Sequence, residues 1–214
     1  SDILRTVVVN LRCTIQDHGG EFLFRHRLTG LEIGQGRITG AIVNESVRLD
    51  TAILILAPGN GSRDTFAMLY EQGVTMTSKP FSIGVRIEHP RDLIDRSRYG
   101  RFAGHPRLGA ADYKLVHHCG NGHSVYIFCM CPGGVVVAAA SEPGGVVTNG
   151  MSWFARDREN SNSALLVGVT AQEFGSDHPL AGVAFQRHWE RKAFALGGGT
   201  FRAPVQTVLD FLSR

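Results

Sequence analysis

Three short stretches carry residue types suited to chemistry. In the first, Cys129-Met130-Cys131 runs into Pro132-Gly133-Gly134. A strand that ends in a Pro-Gly-Gly turn lets the backbone approach a flat ligand closely. A thiol there could be redox-active or could only line a pocket, and two small buried hydrophobes at a strand end would read the same way. In the second, His117-His118-Cys119 with His123 has metal-ligand residue types. Adjacent strand residues point to opposite faces, however, so no metal is expected. In the third, Glu142-Pro143-Gly144-Gly145, Thr148-Asn149-Gly150-Met151-Ser152 and the run Arg156–Ser163 read as glycine- and hydroxyl-rich loops. Such loops can offer amides and small polar side chains to a ligand, or can be plain surface.

Several signatures are absent. No GxGxxG and no GxxxxGK[ST] occurs in the sequence. Gly34-x-Gly36-x-x-x-Gly40 has the wrong spacing for a dinucleotide turn and reads as a hairpin between two strands. No Ser-His-Asp order or nucleophile elbow is visible.

The elements that must position these residues follow from periodicity. Residues 2–18 read as an amphipathic helix with Leu4, Val8, Leu11 and Ile15 on one stripe. Ser1 or Asp2 can cap its start, and Gly19-Gly20 supplies the stop. Strands are expected at Glu21–Arg27, Leu31–Ile33, Arg37–Val43 and Ser46–Leu49. Thr51–Ala57 reads as a strand covered on both faces, ending at Pro58-Gly59-Asn60-Gly61 before a helix through Tyr70. A buried strand, a glycine turn and a helix are the place where open α/β sheets bind nucleotides.

Further on, Phe81–Glu88, Tyr113–His118, Ser124–Met130, Val135–Ala140 and Ala164–Val169 read as strands. Helices are expected at Pro90–Arg96, Pro179–Leu196 and Pro204–Leu212. The long one is expected to bury Phe185, Trp189, Ala193 and Leu196. The expected class is α+β: a partial α/β unit over residues 1–78, then a largely antiparallel sheet packed on helices over 79–214.

Bulk properties narrow the function classes. The 214 residues are 43% hydrophobic and 19% charged, which is globular composition. Net charge is +3, with local basicity from Arg86 to Arg107. That run lacks the interleaved aromatics of a single-strand binder, so no nucleic-acid partner is expected, and its basicity hints at an acidic small-molecule substrate. No run reaches the ~20 apolar residues of a membrane span. Four cysteines without a bridge-like spacing fit a reduced, cytoplasmic protein.

Several segments taken together carry a family resemblance: SDILRTVVVNLR, LILAPGNGSRDTFAMLYEQGV, KPFSIGVRIEHP, FCMCPGG, AAASEPGGVVTNGMS and FQRHWERKAFALGGG. Over its whole length the chain resembles bacterial FAD-dependent dehydrogenases described as uncharacterised NAD/FAD-utilising dehydrogenases. The resemblance implies a two-domain flavoenzyme whose FAD domain is assembled from separate stretches. This chain would be the central one, between an N-terminal GxGxxG unit and a C-terminal segment closing over the flavin. Residues 1–78 would be part of the FAD-binding domain and 79–214 the substrate domain.

Carried over residue by residue, Ala57 and Gly59 match the strand-end turn against FAD, and Leu28 matches a position near the adenine. Cys131, Pro132, Gly133 and Gly134 match the loop at the flavin ring, with Asn149 and Ser152 lining the same cavity. Hydride transfer between a small-molecule substrate and the flavin would follow, with no protein acid or base assigned and Cys131 as the candidate that tunes or reacts with the ring. The chain alone is expected to retain no FAD, to be inactive, and to self-associate through the exposed flavin-domain surface. The competing reading is a self-contained ligand-binding or interaction module without catalysis, and a third is a cysteine-dependent enzyme built on Cys131.

Overall fold

A computed structural model describes residues 2–213. It is an α+β chain in which every strand pairing is antiparallel. Helix α1 (Leu4–Asp17) leads into strands β1 (Leu28–Gly34), β2 (Arg37–Val43) and β3 (Val47–Asp50), a three-stranded meander in sequence order. Helix α2 (Arg63–Glu71) follows and packs on β1. Gln72, just past its end, accepts the Leu31 N–H at 2.8 Å.

A second sheet carries the rest. Its strands are β4 (Phe81–Pro90), β5 (Val116–His118), β6 (Ser124–Cys131) and β9 (Asn160–Val169), in the order β4-β9-β6-β5. Between β6 and β9 the chain makes a hairpin of β7 (Gly134–Ala139) and β8 (Val147–Ser152). Helices α3 (Arg91–Tyr99), α4 (Ala181–Leu196) and α5 (Val208–Leu212) complete the order. One end of α4 packs through stacked Phe81 and Phe174, 5.0 Å apart, with Phe185 tilted against both. No helix among the described residues is long and apolar enough to cross a membrane.

The sequence pattern and the structure part company at identifiable places. Glu21–Arg27 forms no strand, and its residues are exposed. Thr51–Ala57 was expected as a buried strand. It runs without a ladder partner, and Ile53 and Ile55 are 80% and 86% exposed. An apolar run becomes a strand only when neighbours take up its N–H and C=O groups, and no described segment pairs with it. The stripe of α1 is exposed for the same lack of a covering partner, and no residue of that helix is buried. Ser1 lies outside the described residues. The N-cap of α1 is Ile3 without a side-chain bond, while Asp2 accepts the Phe154 N–H at 3.0 Å. On α4, Phe185 and Ala193 are half-buried, but Trp189 and Leu196 are exposed. Thr148–Ser152, expected as a loop, lies in β8, because Val147 through Ser152 pair residue for residue with Ala139 through Gly134.

One buried cation joins the two halves of the sequence. Arg63, only 2% exposed, donates to Glu190 at 2.6 Å, to Glu142 at 2.8 Å and to Gln186 at 3.3 Å. Arg187 closes on Glu142 at 2.5 and 2.7 Å. These two guanidinium groups, Arg187 foremost, hold the Glu142 carboxyl at about 2, below its ordinary 4.5. Replacing Arg63 with methionine leaves two carboxylates short of their partner, so urea unfolding is expected to show a loss of about 3 kcal/mol. A change below about 0.5 kcal/mol would show that the network adds nothing. Glu142 has its carboxyl depressed in the fold, so its stabilisation is complete above pH 4.5 and is lost as pH falls toward about 2. Stability measured across that window is expected to fall less steeply in Glu142→Gln.

Candidate functional site

The polar end of the second sheet gathers most of the residues singled out in the sequence. Its organiser is the start of β9, where Ser161, Asn162 and Ser163 are fully buried. In the ladder, Asn162 stands between Glu88 of β4 and Cys131 of β6, and Ala164 stands between Arg86 and Phe128. Two steps along β9 therefore match three along β6, from Phe128 to Cys131. The extra residue is a bulge, marked by Cys129 at φ 51°. By plain alternation the cysteines of C-x-C would share a face. The bulge separates their environments, leaving Cys129 exposed and Cys131 half-buried on the Asn162 side.

Arg86 reaches along that face. It donates to Asn162 Oδ1 at 2.7 Å and to the Cys129 carbonyl at 3.3 Å. Burial pushes the Cys131 thiol above its ordinary 9.0, with Arg86 opposing. Burial thus disfavours the Cys131 thiolate, the form that a nucleophile needs. Two buried donors here, Arg86 Nε and Asn162 Nδ2, have no partner among the described residues. Buried donors are nearly always satisfied, so this pair marks a spot with capacity for an acceptor.

The β7–β8 hairpin closes over the cluster. Gly134 pairs with Ser152 and Val137 with Asn149. A methyl group on Gly150 would overlap Asn162 Oδ1, Arg86 Nη1 and Cys131 Sγ, so only glycine lets the hairpin lie this close. Pro132, Gly133 and Gly134 are buried. The Gly133 N–H donates to Ser161 Oγ at 3.0 Å, and the Arg156 carbonyl fills the space over the Gly133 α-carbon. Glu88 accepts from Asn160 Nδ2 at 2.9 Å and from the Val136 N–H at 3.3 Å.

The structure thus brings Cys131, Pro132, Gly133, Gly134 and Ser152 together, with Asn149 exposed on the same hairpin. Ala57 and Gly59 sit elsewhere, in an exposed turn where Gly59 has φ +78° and open space at its Cβ position. That turn leads into Gly61, where a methyl group would meet Ser141 at 3.9 Å, next to Glu142. Leu28 is half-buried at the start of β1, in a sheet that shares no strand with either group. Among the described residues, no group of three His, Cys, Asp or Glu is arranged to hold a metal ion. His118 instead bonds Ser124 Oγ at 2.8 Å.

Sequence reasoning places Ser161, Asn162 and Ser163 in a ligand-presenting loop and Arg86 only in a diffuse basic run. Asn160–Ser163 instead begin β9, and what the sequence does not show is that cross-strand pairing brings Arg86 onto Asn162. The available signal was polar alternation, Asn-Ser-Asn-Ser, running without a break into the apolar Ala164–Val169. The close packing around Gly150 is checkable. Gly150→Ala is expected to lower unfolding free energy by about 2 kcal/mol. Gly109→Ala, with nothing within 4 Å of its Cβ position, is the matched control and should change it by less than about 0.5 kcal/mol. Equal effects in a thermal-melt comparison would contradict the packing described.

Comparison with known proteins places this chain in a family. The model described as FAD-dependent protein, C-terminal domain-like, matches residues 80–214. A relative from Clostridium beijerinckii (strain ATCC 51743 / NCIMB 8052), called an uncharacterized protein, is 49% identical over 213 residues. The alignment covers 99% of this chain and 40% of the relative, so the chain spans well under half of that relative's length. On the match over 80–214, the chain belongs to the family of FAD-dependent proteins with this C-terminal-domain-like region.

Proposed function

We propose that this chain is the central portion of an FAD-dependent oxidoreductase, a dehydrogenase acting on a small molecule. In this reading, residues 1–78 contribute to the flavin domain and 79–214 form the substrate domain. The observation that carries the reading is the segment from Thr51 to Gly59. It is apolar, exposed and without ladder partners, and it runs directly into an exposed left-handed glycine turn. In a flavin domain, that combination is a sheet strand delivering its glycine turn to the dinucleotide. The family match over the neighbouring residues supports the choice of cofactor.

The residues present fit the group unevenly. The Ala57–Gly59 turn is open, so backbone there can approach a dinucleotide, although Pro58 brings no N–H. The Pro132-Gly133-Gly134 turn is filled by the chain's own Arg156 and Met151 carbonyls. In this reading, Ala57 and Gly59 touch the cofactor directly, and the ring-side contacts come from Ser152 and Cys131, with Asn149 on the opposite face of β8. FAD, when bound, supplies the hydride acceptor. Arg86 and Asn162 hold a donor-rich wall behind that edge, where burial disfavours the Cys131 thiolate.

The sequence has no GxGxxG turn opening a helix, which is the main hold on a pyrophosphate. The chain by itself is therefore expected to retain no flavin. Purified protein mixed with FAD and desalted should be colourless at 450 nm (on the order of the flavin visible band). A stoichiometric yellow protein would overturn the division of labour proposed here.

A further inference from the structure

The other face of the second sheet holds a groove that the flavin reading leaves unused. Its floor is Ile87, Leu165 and Ile127, contributed by β4, β9 and β6, and Ile127 stands directly opposite Leu165 in the ladder. One wall is α3, through Ile94; the other is the segment Asp112–Leu115. The cavity measures about 880 Å³, within the range of small-molecule sites. Its walls are fixed to each other. Asp95 of α3, only 7% exposed, accepts the Ala111 N–H at 2.7 Å and pairs with Arg91 at 3.3 Å.

Chemistry at the edge selects the occupant. Tyr113 lines the groove, but its hydroxyl is committed. The Pro90 carbonyl can only accept, so His89 Nδ1 carries the proton facing it at 3.1 Å. His89 Nε2 then accepts from the Tyr113 hydroxyl at 2.9 Å, and the Tyr113 oxygen accepts from Ser163 at 3.3 Å. The polar groups left for a ligand are Ser97, Arg98, Asp112 and Lys114. On α3, Arg91 is paired with Asp95 and Arg96 with Asp92, each one turn away. Arg98 follows Ile94 by one turn on the same helix face and has no such pair among the described residues. Two cations against the single carboxylate of Asp112 leave the edge net positive, above an apolar floor.

We propose that the groove between α3 and the sheet is a binding site for an amphipathic carboxylate, its hydrocarbon on Ile87, Ile127 and Leu165 and its head group at Arg98 and Lys114. The site needs no flavin, so it stands or falls apart from the cofactor reading.

The test titrates the full 214-residue chain, without FAD, with decanoate, decanol and decyltrimethylammonium below their aggregation limits, by calorimetry. Decanoate is expected to bind saturably at one per chain and about tenfold more tightly than either of the others. Arg98→Gln with Lys114→Gln should bring decanoate down to the affinity of decanol while leaving decanol unchanged. Leu115→Glu, at a side chain already 63% exposed, leaves the fold intact and should abolish decanoate binding by placing a carboxylate in the groove. Equal binding of decanoate and decanol, unsaturable binding, or no response to these substitutions would overturn the proposal.

Discussion

Three consecutive side chains of β9, buried away from water, hold the polar end of the second sheet together. Ser161 takes the N–H of the Pro-Gly-Gly turn, Asn162 takes the Arg86 guanidinium, and Ser163 meets Tyr113. Burial of such groups is costly unless each finds a partner, and each oxygen here does. Because alternate residues of a strand point to opposite faces, the same triplet serves two places at once. Asn162 faces the hairpin and Cys131, while Ser163 faces the Tyr113–His89 chain beside the groove. A single strand thereby fixes the geometry of the proposed cofactor edge and of the proposed ligand groove.

The bulge in β6 and the glycine in β8 depend on that arrangement. The bulge re-aims Cys131 toward Asn162, and Gly150 lets the hairpin settle on both. The result is a close-packed polar cluster in which two buried donor nitrogens, Arg86 Nε and Asn162 Nδ2, have no partner among the described residues. Arg63 plays a comparable part on the far side of the chain. It ties α2, which follows the exposed Gly59 turn, to Glu142 and to Glu190 on α4. In the proposed enzyme, this would keep the flavin-side turn and the substrate domain in register.

Much of the second half was legible in the sequence because its strands carry their own partners. Phe81–Glu88 alternates and pairs with β9, and the hairpin around Gly120-Asn121-Gly122 closes locally. Thr51–Ala57 was illegible for the opposite reason. Its apolar pattern states what the segment would bury, not whether a neighbour is present to pair with it. Glu21–Arg27 alternates around Phe22 and Phe24, yet those rings stack on each other at 6.1 Å in an unpaired loop. In the site, residue types pointed to Cys131 and the glycine turn, and only to a basic run and a polar loop where Arg86 and Asn162 stand, not to their pairing. Their importance arises from cross-strand register, and a one-residue bulge sets that register without any mark in composition.

The family match, the exposed strand-like segment and the close-packed polar cluster describe a chain whose second half pairs its own strands and whose first half leaves an apolar segment exposed. Amide hydrogen exchange reads both properties in one experiment. The Gly133 amide, held by Ser161 Oγ, is expected to exchange slowly, along with the amides of β9. The amides of Ile53 and Ile55 should exchange at close to the unstructured rate, and Ser161→Ala should release Gly133 while Leu165 stays protected. If Gly133 in the unaltered chain exchanged as fast as Ile53 and Ile55, the buried triplet would not be holding the turn, and the account would be contradicted.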